Sequence, residues 1–103
     1  MTQAHPQQDS LKQQEDALFA QGEAAMQRGD YEEAIGCFKR TLYFNLDRHD
    51  AHYHLGVIFL NSSDILSAID HLQYAVAIDP ANIKSWINLG YARVFAGLSL
   101  IHI

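Results

Sequence analysis

The stretch "LGVIFLNSSDILSAIDHLQYAVAIDP", residues 55–80, holds two apolar patterns separated by a polar break. Ile65, Ala68, Ile69, Leu72 and Val76 follow one another at steps of three and four, the spacing of one face of an α-helix. The break "SSDI" (62–65) supplies turn residues, and Asp64 can accept from the free N–H groups of a new helix. That helix must stop before Pro80, which has no N–H to continue it. The segment therefore reads as helix, short turn, helix.

The same unit recurs along the chain. Gly22, Gly56 and Gly90 are spaced by 34 and 34; Ala34 and Ala68, Ile35 and Ile69, and Asp30 and Asp64 keep that interval, and Gly29, Ser63 and Gly97 form another series. Two antiparallel helices come close only where side chains are small, so a Gly on the first faces an Ala on the second. "RGDY" (28–31) repeats the turn chemistry of "SSDI", and Ser10 with Gln13 makes a capping box for the first helix. The spacing predicts an all-α chain of five helices over 11–28, 31–45, 49–61, 65–78 and 83–96.

These offsets resemble the tetratricopeptide repeat (TPR) family, whose signature is a large residue, then Leu-Gly, then Ala, Phe, Ala and Pro. Residues 49–82 match at Leu55-Gly56, Phe59, Ala68, Leu72, Ala75 and Pro80. Residues 15–48 match at Gly22, Gly29-Asp30-Tyr31, Ala34 and Phe38, with Thr41 looser and Leu46 where the family has Pro. A third repeat opens with Trp86, Leu89 and Gly90 and stops at Gly97. The resemblance implies a TPR solenoid: a polar segment 1–14, TPR 1 at 15–48, TPR 2 at 49–82, and the first helix of a third at 83–97.

The last six residues, LSLIHI at 98–103, break this order, with four aliphatic residues, one His and no charge. The hexapeptide resembles what the mosaic-end adapter of a transposon-based sequencing kit encodes in one frame. The expectation is that 98–103 is a non-native tail on an N-terminal fragment of a longer TPR protein. The helix 83–96 would then leave parts of Trp86, Leu89, Val94 and Phe95 uncovered, since a repeat array needs its last apolar face capped. Self-association through that helix is a further expectation.

Composition narrows the function. With 49% apolar and 18% charged residues the chain is globular. Its net charge is −5 and its seven basic residues are scattered, so it lacks the basic stripe that nucleic-acid binding needs. The uncharged stretch from Val94 to Ile103 is too short to span a membrane, and "MTQAHPQQDSLKQQEDA" has no apolar signal core, which makes a cytoplasmic location the default. The single Cys37 forms no internal disulfide and reads as a half-buried structural thiol.

Catalytic and metal chemistry find little support. In "RHDAHYH" (48–54) His49 and His52 share a helix face, but His54 points away, leaving two ligands where zinc needs three or four. His52 falls at the packing position that Trp86 occupies one repeat later, and His71 is expected on the solvent side. No Gly-rich phosphate loop or nucleophile elbow is present, and Glu15-Asp16 and Glu32-Glu33 are ordinary first-turn charges. No enzyme activity and no cofactor are expected of residues 1–97.

What remains is surface. The TPR resemblance implies a concave groove lined by the first helix of each repeat. Its offsets fall on Asp16, Phe19, Glu23, Met26 and Gln27, on Asp50, Tyr53, Val57, Leu60 and Asn61, and on Lys84, Ile87, Tyr91, Val94 and Phe95. Of these, Phe19, Glu23, Met26, Tyr53, Val57, Asn61, Ile87 and Tyr91 are the candidate site. Such a groove suits an apolar or amphipathic protein segment, basic at one end. TPR cochaperones that hold a heat-shock-protein carboxylate use a Lys and an Asn where this chain has Phe19 and Glu23, and Glu23 would repel that ligand. The reading is a scaffold or adaptor; the alternatives are the recognition region of a larger enzyme such as a glycosyltransferase, or a secretion-type chaperone.

Overall fold

The computed structural model describes residues 6–101, with side chains from 10 to 98. Among the described residues there are five helices and no strands: α1 (Pro6–Arg28), α2 (Tyr31–Phe44), α3 (His49–Asn61), α4 (Ile65–Ile78) and α5 (Ile83–Ile101). The chain divides into two compact units, Met1–Arg48 and His49–Ile103.

In the first unit α1 and α2 pair antiparallel. The turn between them is built from backbone hydrogen bonds: Gly29 N donates to Met26 O at 3.0 Å and Asp30 N to Ala25 O at 2.9 Å. Those two bonds satisfy carbonyls left free at the end of α1, and they require a left-handed residue, supplied by Gly29 at φ 79°. Asp30 then caps α2 by accepting from Glu33 N at 3.2 Å. Phe38, Leu42 and Ala34 of α2 and Phe19 and Ala25 of α1 are buried, and the Phe19 and Phe38 ring centroids lie 5.5 Å apart.

The second unit repeats this device 34 residues on. Ser63 N donates to Leu60 O at 3.3 Å, Asp64 N to Phe59 O at 2.9 Å, and Asp64 accepts from Ser67 N at 3.4 Å. Here the left-handed residue is Ser63, at φ 66° without glycine's freedom. Helix α4 is the centre of this unit and packs on both α3 and α5. Its Ala68, Leu72 and Val76 form a buried cluster with Leu89 and Ala92 of α5. Asn82 begins α5 by accepting from Ser85 N at 3.2 Å.

The Gly positions show why the period exists. A Cβ on Gly56 would lie 2.5 Å from Leu72 Cγ, and one on Gly22 would lie 2.6 Å from Phe38 Cε1. Both sit under a fully buried side chain of the next helix. A Cβ on Gly90 would meet nothing within 4 Å.

Three expectations change. Helix α1 begins at Pro6, so Ser10 lies a turn inside it and is not a cap; its hydroxyl accepts from Gln14 at 3.4 Å instead. Proline suits a first helical position because the N–H it lacks would be unpaired there. Helix α5 runs through Gly97 to Ile101. Gly97 lies inside α5 and does not take the left-handed angle of Gly29 and Ser63. Leu89, expected to be uncovered, is 1% exposed within the core cluster. Of the terminal segments set apart on sequence, residues 1–5 and 102–103 lie outside the described residues.

Candidate functional site

The expected groove residues divide sharply by environment. Phe19 offers almost no surface and departs from its expected role. It is 7% exposed, its ring centroid lies 5.5 Å from that of Phe38, and the Arg48 guanidinium covers it at 4.1 Å. Glu23 is exposed and Met26 half-buried, both on α1.

Arg48 also organises the charges nearby. Its Nη1 donates to Glu15 Oε2 at 3.0 Å and to Asp16 Oδ1 at 2.6 Å, while Asn45 Nδ2 donates to Glu15 Oε2 at 3.1 Å. Burial pushes the Glu15 carboxyl up, but the hydrogen bonds from Asn45 and Arg48 and the charge of Lys12 outweigh it and hold the group below its usual range. The Arg48 hydrogen bond likewise lowers Asp16, which is engaged in this cluster and adds less to an acidic groove entrance than its position suggests. Neither Arg48 nor Asn45 stood out in the sequence, because Glu15 and Arg48 are 33 residues apart and no local pattern joins them.

In the second unit, α3 and α5 carry the remaining candidates. Tyr53 and Val57 are half-buried, Asn61 is exposed, and Ile87 and Tyr91 are 50% and 57% exposed. Tyr53 and Leu60 pack by one edge against the core cluster. Asn88 Nδ2 donates to Lys84 O at 2.9 Å and approaches the Tyr53 hydroxyl at 3.5 Å, bringing the polar edges of α3 and α5 together. Val94 and Phe95 extend the exposed apolar row along α5, and Lys84 lies exposed near its start. The row presents aromatic and aliphatic side chains over a helical floor, which can take apolar side chains of a partner.

The histidines form a packing stack. His52 is 2% exposed; its ring stacks on Tyr74 at 4.8 Å, and its Nδ1 meets His71 Nδ1 at 3.1 Å. His71 in turn stacks on Phe59 at 5.7 Å. His71 is thus half-buried between aromatic rings and not on the solvent side, because Phe59 and His52 on α3 face it across the helix pair. His49 turns elsewhere, toward Asn82 Nδ2 at 3.3 Å and Asp79 Oδ2 at 3.5 Å. Among the described residues no three His, Cys, Asp or Glu side chains are placed to hold a metal ion. Cys37 is buried; burial, and then the charge of Glu33, push its thiol up and away from the reactive thiolate.

A family model described as tetratricopeptide repeat matches residues 11–45 and residues 19–83. Among solved structures, the second TPR of Spaghetti (RPAP3) bound to HSP90 peptide SRMEEVD is similar at a TM-score of 0.82 and 23% identity. The match covers 88% of this chain and 84% of that one. The first TPR of Spaghetti (RPAP3), bound to the same peptide, is similar at 0.75 and 22%, covering 87% and 72%. At these identities the likeness is one of fold. No curated protein sequence matches this chain.

Proposed function

The chain belongs to the tetratricopeptide repeat family, and from that premise we propose that it is a peptide-binding module. Its ligand is an extended or amphipathic segment of another protein, held on the exposed faces of α3 and α5 in the second unit. The observation that carries this reading is the apolar row on α5, where Ile87, Tyr91, Val94 and Phe95 stand about half exposed. Monomeric proteins seldom leave such a contiguous row open unless it binds something. The two similar structures hold a peptide, which supports the same use of the fold.

The peptide in those structures, SRMEEVD, carries three acidic residues. The residues on this chain favour a different charge. In the first unit, α1 carries an acidic residue, the exposed Glu23, and Phe19 is buried beneath Arg48. The preferred segment is therefore apolar with a basic end, consistent with charge complementarity setting specificity. An adaptor role follows from that chemistry.

Fluorescence anisotropy tests this with two labelled peptides: SRMEEVD, and the same peptide with its three acidic residues changed to Lys and its carboxyl amidated. The second should bind more tightly by about tenfold or more. Tyr91→Ala should weaken it about fivefold or more, with helicity retained, because the Tyr91 ring is largely outside the core. Tighter binding of SRMEEVD would overturn the charge preference. Binding that ignores Tyr91→Ala and Ile87→Ala would remove α5 from the site.

A further inference from the structure

Helix α4 turns Ala68, Leu72, Ala75 and Val76 inward, all four of them buried. On its outer side Asp70, Gln73, Tyr74 and Ala77 share one face and line an open cleft of about 350 Å³. That volume lies at the low end of those that hold small ligands. The cleft belongs to the second unit, and its four residues are distinct from the row on α5. Nor do they follow the 34-residue period, since the equivalent residues of α2 are Gly36, Lys39, Arg40 and Tyr43. The packing residues recur at that interval, so packing does not account for this set.

Two features give the cleft a chemistry. Tyr74 is 51% exposed, yet its ring is held: it stacks on His52 at 4.8 Å and 6° between planes, and His52 is 2% exposed. The result is a fixed aromatic wall. One helical turn earlier stands the exposed Asp70. Neither its carboxylate nor the Gln73 side-chain amide makes a hydrogen bond or ion pair among the described residues. Side chains at i and i+4 are neighbours on a helix surface, so one cationic group can reach the carboxylate and the ring together.

We propose that this outer face of α4 binds an arginine side chain of a partner protein. The guanidinium lies on the Tyr74 ring, pairs with the Asp70 carboxylate and donates to the Gln73 amide oxygen. Arginine suits the cleft better than lysine because its planar group stacks on a ring while its fork of donors meets a carboxylate. Charge favours a partner from outside. Helix α4 carries Asp70 and no Lys or Arg, and the net charge of the chain is −5, so a basic segment is drawn to it. A second copy fits less well. Helix α4 against α4 sets Asp70 opposite Asp70, and α4 against Arg40 of α2 is a head-to-tail contact that two copies cannot close.

The probe is the tripeptide acetyl-Ala-Arg-Ala-amide, titrated into the full isotope-labelled chain and followed by NMR. The backbone signals of Asp70, Gln73, Tyr74 and Ala77 and the Gln73 side-chain amide should shift with a Kd of about 1–5 mM. The peptide acetyl-Ala-Lys-Ala-amide should bind about fivefold more weakly. Asp70→Asn should weaken the arginine peptide about tenfold or more, with helicity and melting temperature matching the parent because Asp70 is exposed. Tyr91→Ala should leave this binding unchanged, which separates the cleft from the row on α5. Silence of these signals up to about 20 mM peptide, an equal response to the two peptides, or indifference to Asp70→Asn would overturn the proposal. So would signals of the same residues that move with protein concentration alone and cease to move in Arg40→Glu, since the occupant would then be a second copy.

Discussion

Adding one methyl group at Gly22, Gly56 and Gly90 in turn tests the packing logic of the whole chain, because the three positions are equivalent in sequence and different in surroundings. In isolation each Gly→Ala change within a helix stabilises by about 0.5–1 kcal/mol. At Gly56 the new Cβ lies 2.5 Å from Leu72 Cγ and 2.8 Å from its Cδ2, where carbon atoms ordinarily keep about 3.5–4.0 Å. Leu72 is 0% exposed and its crowded atom is near the root of the side chain, so it cannot swing aside. Overpacking of that kind costs about 1–3 kcal/mol. The net effect of Gly56→Ala is a loss of about 1–2 kcal/mol, or a melting temperature lower by about 5–10 °C in a domain this size. Gly22→Ala meets the Phe38 ring edge and should behave alike. Gly90→Ala keeps the helix gain without the clash and should raise the midpoint by about 3–5 °C. Thermal unfolding followed by far-ultraviolet circular dichroism measures all three. Equal stabilisation by all three substitutions would refute the claim that α2 and α4 are seated on bare backbone.

The Arg48 cluster makes a pH prediction. Glu15 is depressed in the fold, so its ionised form is the stabilising one; that stability is present above the unfolded carboxylate value and fades as pH falls through the lower folded value. Glu15→Gln and Arg48→Ala should each cost about 1–2 kcal/mol at neutral pH. The gap between Glu15→Gln and the parent should close below about pH 4, as urea midpoints across a pH series would show. Ser63→Gly should stabilise by about 0.5–1 kcal/mol, since Ser63 holds φ 66° at a site where Gly29 serves in the first unit. A lower midpoint for that variant would assign the Ser63 side chain a role its backbone angle does not indicate.

The helices were legible because their causes are local. Asp30 and Asp64 announced their helices by capping chemistry that needs only the next three residues, and Pro80 ended α4 by what its ring forbids. The Gly, Ala and Phe or Leu series predicted which helices pair, since only small residues permit close approach. The start of α1 was missed because Ser10 and Gln13 form an adequate capping motif that Pro6 pre-empted. The end of α5 was missed because a Gly that turns the chain at 29 sits inside a helix at 97: the two share an offset but not a backbone angle.

The repeat period placed Phe19, Tyr53 and Ile87 at one offset, and by sequence alone they are interchangeable. Their environments differ: Phe19 is buried beneath Arg48 and against Phe38, Tyr53 is half-buried beside Asn88, and Ile87 is 50% exposed. His52 and Trp86 likewise share an offset, one stacked between rings and the other open. By itself the sequence determined the all-α repeat and the antiparallel helix pairs, because period, caps and glycines act over a few residues. Only the tertiary structure decided which equivalent residues remain as surface, because burial depends on side chains that arrive from 19 to 35 residues away.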